Sequence, residues 1–446
     1  MKVAGATAAV LTLGLLYIAF MPWETDARLS FDAVRYYAGA ESIRDTGRFT
    51  DLDGGPQQQW PPGVSLLYAA LSAITGADAL TLVPVVNVVS YVLLVAALAW
   101  LASIAGLRWW IAAAALAAVA LNGFYLSMHN KLWSEPPSLA MLVVVMLCLP
   151  RRTNVALAAA CVAAAAAIMM RYAFLALVPV IFAVALVTRR RAMAVAALLT
   201  PLPTVLALAL LGASRGKRAL ALQDVPWGEN AAALIPVGDQ VFPVRLLGPA
   251  VAGLFVLLCI AAPLIVAIRA EASPARTTAL VAFGWTIAYA LFLPFTQAVV
   301  IPPPVVDLRM LSPLYFGAMI GLAAACEIAA RRHRWFPLLL AIPLVLAGAR
   351  GARATIQAIG TKPPETTCVS RMAYVDAIRA AAPRGTIATN AASTVWLAVR
   401  RPVLRSGPAE SIVWIDPARA CPHVVEDEAF PRPPGSPDGR GLLVEP

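Results

Sequence analysis

Acidic side chains concentrate in one short segment that follows the first apolar run of the chain. Seven of the 24 acidic residues lie between Glu24 and Asp53. The stretch from Ser30 to Thr46 is predicted to be a helix, with Ser30 as its N-cap and Gly47 ending it. Ionisable groups beside apolar sequence are costly to bury, so this density indicates either a functional site or a solvated surface.

One face of this predicted helix carries three different polar groups. Asp32, Arg35 and Tyr36 share that face through i, i+3 and i+4 spacing, together with Gly39 and Ala40, whose small side chains allow close approach. A carboxylate, a guanidinium and a phenol therefore project together, and such groups transfer protons and bind anions. The alternative is an amphipathic helix that lies on a membrane with a solvated acidic side.

The composition indicates the environment in which these groups act. Hydrophobic residues make up 60% of the chain and charged residues only 13%, against roughly 25% charged in soluble domains. Five apolar runs are each near or above the roughly 18–20 residues that span the hydrocarbon; they are 80–105, 109–126, 192–212, 246–268 and 311–330. The sequence therefore predicts an α-helical polytopic membrane protein.

The net charge of +11 comes from arginine clusters between the apolar runs, at 151–152, 189–191 and 331–334. Positive charge in this arrangement marks cytoplasmic loops, so it does not indicate nucleic-acid binding. Alternating the spans from there predicts about 11 transmembrane helices, with the N-terminus inside and residues 23–60 as a first outside loop. Residues 61–76 are interpreted as an interfacial or re-entrant segment. The predicted spans are 3–21, 80–105, 109–126, 136–150, 155–170, 173–188, 192–212, 246–268, 277–297, 311–330 and 336–349.

Residues 350–446 differ in character from the apolar domain at 1–349. An amphipathic helix is predicted from Arg371 to Ala382, and short strands at 386–389 and 411–415 enclose a helix at 391–399. This pattern predicts a small α/β domain, with a disordered Pro- and Gly-rich end at 430–440. Its two cysteines, Cys368 and Cys421, form a disulfide if the domain lies in an oxidising compartment; otherwise they are two thiols.

Several segments resemble the GT-C superfamily of membrane glycosyltransferases, and the likeness in layout covers most of the chain. The first loop has FDAVRYYAGAESIRDTG followed by QWPPGVSLLYAAL, and two later stretches are NKLWSEPPSLAMLV and DLRMLSPLYFG. The tail segment YVDAIRAAAPRGTIATNAASTVWLAVRRPVL is similar to the small extracytoplasmic domain of many bacterial members. The chain lacks the adjacent Asp-Glu pair that is typical of the protein-mannosyltransferase branch.

The resemblance implies an inverting glycosyltransferase. Such an enzyme moves a sugar from a polyprenyl-phosphate donor to a lipid, glycan or protein acceptor at the outer face of the membrane. The family's first-loop carboxylate matches Asp32, which would be the general base on the acceptor hydroxyl or would orient it, and Asp26 is the second choice. Bond breaking builds positive charge at the anomeric carbon and negative charge on the phosphate, so a carboxylate and cations are both required.

Candidate substrate-binding residues stand at the outer ends of the predicted spans. Arg35, Lys131, Arg171 and Arg309 are the cations that could hold the phosphate, and snorkelling to the interface is the alternative for them. His129 and Glu135, which flank Lys131, could contact the acceptor, and a solvated loop histidine is the alternative for His129. Asp307 lies two residues from Arg309 in a Pro-rich loop, and the remaining candidates, Tyr36 and Tyr172, could stack on sugar or belong to an aromatic belt.

Other function classes and cofactors stay open. A transporter or flippase predicts polar or broken helices at mid-membrane and often an internal repeat. An O-antigen ligase or polymerase predicts key arginines in a large late loop, which residues 213–244 could supply. The three histidines form no transition-metal motif, whereas acids of the first loop could hold a divalent cation. The Ala/Arg-rich composition favours a bacterial plasma membrane, with the active site and C-terminal domain extracytoplasmic.

Overall fold

A computed structural model of the chain describes residues 2–20, 30–57, 60–212, 261, 263–299, 308–332, 336–360, 371–381, 383, 387–389, 391–400, 403–404, 411–415 and 441–443. The helices of the first half are α1 (Lys2–Phe20), α2 (Phe31–Thr46), α3 (Gly63–Thr75), α4 (Ala79–Ile104), α5 (Trp109–Ala120), α6 (Gly123–Ser127), α7 (Glu135–Cys148), α8 (Asn154–Met170), α9 (Leu177–Val187), α10 (Arg191–Leu199) and α11 (Leu202–Leu210). The later ones are α12 (Pro274–Val299), α13 (Leu308–Arg332), α14 (Phe336–Gly360), α15 (Arg371–Ala381) and α16 (Ala392–Val399).

The chain is an α-helical polytopic membrane protein, as its composition predicts. Within the described residues, five helices are long and apolar enough to cross a membrane, or six if the bent pair α5–α6 and its 3-10 extension to Asn130 is one span. Three shorter apolar helices accompany them at Gly63–Thr75, Asn154–Met170 and Tyr172–Val187. The total of about 11 spans stays a prediction, because most of the predicted span 246–268 lies outside the described residues.

Several predicted spans are broken or extended in the structure. The run 109–126 bends by 43° between α5 and α6, where the Asn122 side chain accepts a hydrogen bond from Tyr125 N (3.1 Å) and so caps α6. The run 192–212 is interrupted beside Pro201, where proline cannot continue the hydrogen-bond ladder, and α10 and α11 together form one of the five candidate spans. The last long helix, α14, continues to Gly360 and passes position 349, where the C-terminal domain was predicted to begin.

Helix α13 lies at the centre of the bundle, and its apolar stretch is buried along the whole length. Small residues let its neighbour α12 approach closely: a Cβ at Gly317 would lie 2.6 Å from Trp285 Cδ1, and one at Gly321 would lie 2.8 Å from Phe283 Cζ. The hydroxyl of Tyr289 also donates to Met310 O (2.7 Å). The hydrogen bond from Tyr289 holds the first turn of α13, which also carries Arg309.

The C-terminal residues form a parallel sheet with helices. Strands β1 (Ile387–Thr389), β2 (Val403–Leu404), β3 (Ser411–Trp414) and β4 (Gly441–Leu443) pair in the order β2-β1-β3-β4. The predicted helix and strands at 371–382, 386–389, 391–399 and 411–415 are confirmed, whereas β2 and β4 were not predicted. Residues 430–440, Cys368 and Cys421 lie outside the described residues.

Candidate active site

Residues 33–40 of helix α2 are buried, whereas its last turn, which carries Asp45, is exposed. Its predicted caps are confirmed: the Ser30 side chain accepts from Ala33 N (3.3 Å), and Gly47 ends the helix at φ 69°. A Cβ at Gly39 would lie 2.5 Å from Phe49 Cε2, so only glycine allows this packing. Ser65 Oγ, on α3, donates to Tyr36 O (2.9 Å) and ties the two helices together.

Asp32 meets a cation from the far end of the sequence. Arg309 Nη1 donates to Asp32 Oδ2 (2.6 Å), and the two side chains are 29% and 17% exposed. The Arg309 guanidinium lies 4.8 Å from the centre of the Trp133 ring, and Lys131 Nζ lies 4.3 Å from the same ring. The indole N–H of Trp133 donates to the hydroxyl of Ser30, two residues from Asp32. One indole therefore organises two cations beside the carboxylate.

A second ion pair joins α7 to the end of α8. Arg171 donates to Glu135, the first residue of α7, and the Glu135 side chain is only 4% exposed. Arg171 has an extended backbone and ends α8, which turns its side chain out of the helical register. A Cβ at Gly63 would lie 2.5 Å from Met169 O, so glycine at the start of α3 lets that helix abut the residues just before Arg171.

The environment changes the acidity of two groups in this cluster. Burial raises the pKa of Tyr36 above its ordinary value, and the nearby carboxylates of Asp32 and Glu135 add to the effect, so the phenol stays neutral. Burial lowers the pKa of Lys131, and the positive charge of Arg309 lowers it further, while Glu135 opposes the shift. The cations are thus crowded, a state that an added anion would relieve.

The structure brings together six of the ten candidate residues: Asp32, Tyr36, Lys131, Glu135, Arg171 and Arg309. Tyr172 directly follows Arg171 and is half-buried. Asp307, like Asp26, lies outside the described residues.

Two candidates do not join the cluster. Arg35 is buried and donates through Nη1 to Asp51 Oδ2 (2.8 Å), so it braces the first loop. His129 is fully buried, and its ring packs edge-on against Tyr91 and Tyr125. We therefore leave Arg35 and His129 out of the candidate site.

Trp133 was not singled out from the sequence, although it lies inside the quoted stretch NKLWSEPPSLAMLV. Its position two residues from Lys131 was the available signal, since the face of a Trp ring attracts a nearby cation. Among the described residues, no group of three or more His, Cys, Asp or Glu side chains could hold a metal ion.

Among the described residues, the cluster has more cations than carboxylates, and Asp32 is the more exposed of its two carboxylates. Three cations, Lys131, Arg171 and Arg309, face two carboxylates, Asp32 and Glu135. Glu135 is almost fully buried against Arg171, whereas Asp32 stays partly exposed. Such an arrangement can bind a phosphate and present one carboxylate as a proton acceptor beside it.

Comparison with known proteins supports the architecture. No family model matches the chain, and no curated protein matches it by sequence. Among solved structures, it is similar to ArnT from Cupriavidus metallidurans bound to undecaprenyl phosphate, with a TM-score of 0.54, 15% identity, and 92% of this chain and 85% of that chain covered. ArnT in the apo state gives 0.51 and 14%, with 93% and 86% covered. The chain shares its overall fold with ArnT.

Another match is the arabinosyltransferase EmbB from Mycobacterium smegmatis, with a TM-score of 0.48 and 15% identity, covering 80% of this chain and 40% of EmbB. At these identities the comparison concerns the fold, so the roles of individual residues are argued from their geometry.

Proposed function

We propose that this protein is an inverting glycosyltransferase that moves a sugar from a polyprenyl-phosphate donor to a lipid, glycan or protein hydroxyl at the outer face of the membrane. The observation that carries the proposal is the convergence of Asp32 with Lys131 and Arg309, within a GT-C fold. The ArnT structure with this fold binds undecaprenyl phosphate. A site with excess positive charge suits such an anionic lipid.

Lys131 and Arg309 would hold the donor phosphate. Arg309 supplies forked donors that match phosphate oxygens, and Lys131 supplies a compact charge. Both cations lie against the Trp133 ring, so their positions are set before the donor arrives. As the bond to the anomeric carbon breaks, negative charge grows on the leaving phosphate, and these preorganised cations stabilise it more than they stabilise the bound donor.

Asp32 would be the general base. The acceptor oxygen forms the new bond to the anomeric carbon while the bond from that carbon to the phosphate oxygen breaks. The hydroxyl proton passes to Asp32, and polyprenyl phosphate leaves with the bonding electrons. One displacement inverts the configuration at the anomeric carbon. Arg309 aims the carboxylate, because its Nη1 engages Oδ2 and leaves Oδ1 for the acceptor.

The length of α13 supports an extracytoplasmic site. Arg309 and Arg331 stand at opposite ends of this helix, and a rise of 1.5 Å per residue separates them by roughly 33 Å, about the thickness of the hydrocarbon. Arg331 belongs to one of the arginine clusters that mark the cytoplasmic side. The candidate site would then lie on the outer side of a bacterial plasma membrane, together with the C-terminal domain that contacts α2.

The test uses purified protein in nanodiscs with a panel of labelled polyprenyl-phosphate sugars, and it follows transfer and slow donor hydrolysis. Asp32→Asn should lower the rate about 10²–10⁴-fold, the usual contribution of a general base, while donor binding is kept. Asp45→Asn is the matched control, because Asp45 lies on the same helix with a side chain that is 57% exposed. A folded wild-type protein that neither binds nor turns over any donor would overturn the proposal.

A further inference from the structure

An asparagine of helix α4 grips the segment that carries Lys131. Asn87 is fully buried, and its side-chain amide donates through Nδ2 to His129 O (2.5 Å) and to Lys131 O (3.0 Å). Both partners are carbonyl oxygens, which only accept, so the amide must direct its N–H groups towards them. One side chain therefore holds two peptide groups, one before and one after Asn130.

The backbone of Lys131 is held on both sides of its Cα atom. Lys131 follows the 3-10 turn Met128–Asn130 with an extended backbone, at φ −117° and ψ 153°. Its N–H donates to Met128 O (3.2 Å), while its carbonyl accepts from Asn87. His129 secures the turn itself, because its Nδ1 lies 3.0 Å from Tyr125 O and donates to that carbonyl. With both flanking peptide groups held, the direction in which the Lys131 side chain leaves the backbone is fixed.

That direction matters because the Lys131 ammonium occupies a crowded place. Its Nζ lies 4.3 Å from the centre of the Trp133 ring, and the Arg309 guanidinium lies 4.8 Å from the same centre. Arg309 of α13 repels the ammonium, Glu135 of α7 attracts it, and Asp32 of α2 pairs with Arg309. A lysine side chain is long and flexible, so its ammonium would move into solvent, away from the second cation, if the backbone beneath it could shift.

The Asn87 amide is an expensive way to join α4 to this turn. Among the described residues, Asn87 Oδ1 is buried without a hydrogen-bond partner, and a polar atom in this state lowers stability. Helix α4 is also one of the candidate membrane spans, where buried polar side chains are rare and mark functional sites. Features that reduce stability are expected where function requires them. The cost therefore favours a role of Asn87 beyond stabilising the bundle.

We propose that Asn87 is a positioning residue for donor binding, which holds the Lys131 ammonium beside Trp133 and Arg309 by gripping the backbone of 129–131. This inference rests on the proposed role of Lys131 in binding the donor phosphate. Asn87 is fully buried, so it acts through Lys131 and does not touch the donor. Its amide sets the position of this cation before the donor arrives, which spares the cost of ordering a flexible side chain on binding.

A double-mutant cycle on the full chain in nanodiscs tests the proposal, with polyprenyl phosphate as the binding probe. Asn87→Leu removes both N–H donors and should weaken binding about tenfold, the usual effect of losing one charge-assisted hydrogen bond from Lys131 to the phosphate. In a Lys131→Met background the same change should cause no further loss, because the side chain that Asn87 positions is gone. Ser90→Ala is the matched control and should bind as the wild type does, because the buried Ser90 hydroxyl donates to Val86 O within α4. Losses that add, or an unchanged affinity of Asn87→Leu, would overturn the proposal.

The titration of Lys131 gives a second measurement, which needs no donor. The chain has four lysines, so NMR spectroscopy in micelles, after dimethylation of their amines with an isotope label, should resolve the Lys131 signal, which Lys131→Arg identifies. Burial and the charge of Arg309 lower the pKa of Lys131 in the wild type. Asn87→Leu should raise this pKa towards its ordinary value, because the released ammonium moves into solvent.

Asn87→Ser is neutral and too short to reach both carbonyls, so it should raise the Lys131 pKa in the same direction and serves if Asn87→Leu does not fold. An unchanged Lys131 pKa in a folded variant would overturn the proposal. If the wild type binds no polyprenyl phosphate, the proposed function fails, whereas the titration still supports or overturns the placement of Lys131 by Asn87.

Discussion

The ion pair between Glu135 and Arg171 allows a quantitative prediction about the site. Glu135→Gln keeps the shape of the side chain and removes its charge, which leaves the Arg171 guanidinium without its counter-ion. The two side chains are 4% and 16% exposed, so solvent can replace little of the lost interaction. Removing one partner from a buried pair typically costs about 3–5 kcal/mol.

Arg171 is slightly exposed, so the lower end of that range applies, and we expect a loss of about 3 kcal/mol. This corresponds to roughly a 150-fold change in the unfolding equilibrium. The double variant Glu135→Gln/Arg171→Gln removes both charges and should cost less than the single variant, about 1 kcal/mol, because no unpaired charge remains. The ordering of the two variants is therefore the distinctive result.

Unfolding free energies in mixed SDS micelles would measure these differences. Glu41→Gln is the matched control: Glu41 pairs with Arg400 at 3.1 Å, with side chains that are 19% and 36% exposed, so its loss should cost about 0–1 kcal/mol. A cost for Glu135→Gln no greater than that of the control would refute the reasoning. A double variant that is less stable than Glu135→Gln would refute it as well.

Burial lowers the pKa of Lys131, so donor affinity should fall when the pH rises through that lowered pKa and the ammonium group loses its charge. Lys131→Arg should keep its affinity to higher pH, because a guanidinium stays charged. Identical pH profiles of binding for the two proteins would contradict this prediction. Gly63→Ala should lower the free energy of unfolding by about 1–3 kcal/mol in thermal unfolding, because the new Cβ meets the backbone of α8. Gly284→Ala is the control and should cause no such loss, since a Cβ there has no atom within 4 Å. Equal stabilities of the two variants would refute the prediction. Arg400 contacts Tyr37 and Glu41 of α2, so Arg400→Ala should speed the exchange of amide hydrogens in that helix. Arg379→Ala is the control and should leave this exchange unchanged, because Arg379 pairs with Asp376. Equal exchange rates in the two variants would refute a stabilising role of Arg400.

Local sequence patterns determined the elements that carry the site. Ser30 and Gly47 were predicted to begin and end the first-loop helix, and both caps are present in the structure. The amphipathic helix that was predicted to start at Arg371 is also present in the structure. Such features depend on neighbours a few positions away, through capping hydrogen bonds and hydrophobic periodicity, and so they can be predicted without tertiary information.

The hydropathy of the sequence predicted most of the long apolar helices, but it did not predict where these helices bend or break. The bend near Asn122 depends on a side chain that caps a new helix inside an apolar stretch. A window average does not register such a cap, because one polar residue changes the mean little. The extension of α14 to Gly360 has a similar origin, since the helix continues after the apolar sequence ends. Hydropathy measures the affinity for lipid, whereas a helix ends where its backbone hydrogen bonds find other partners.

The sequence by itself determined that this is a polytopic membrane protein, where its first-loop helix begins and ends, and which ionisable residues stand at span ends. Only the tertiary structure decided how those residues pair. Asp32 and Arg309 are 277 positions apart, and they meet because α13 occupies the centre of the bundle. Arg35 shares the predicted face of Asp32 but turns to Asp51 instead. Spacing along one helix gives the direction of a side chain, whereas its charge partner depends on the packing of distant elements.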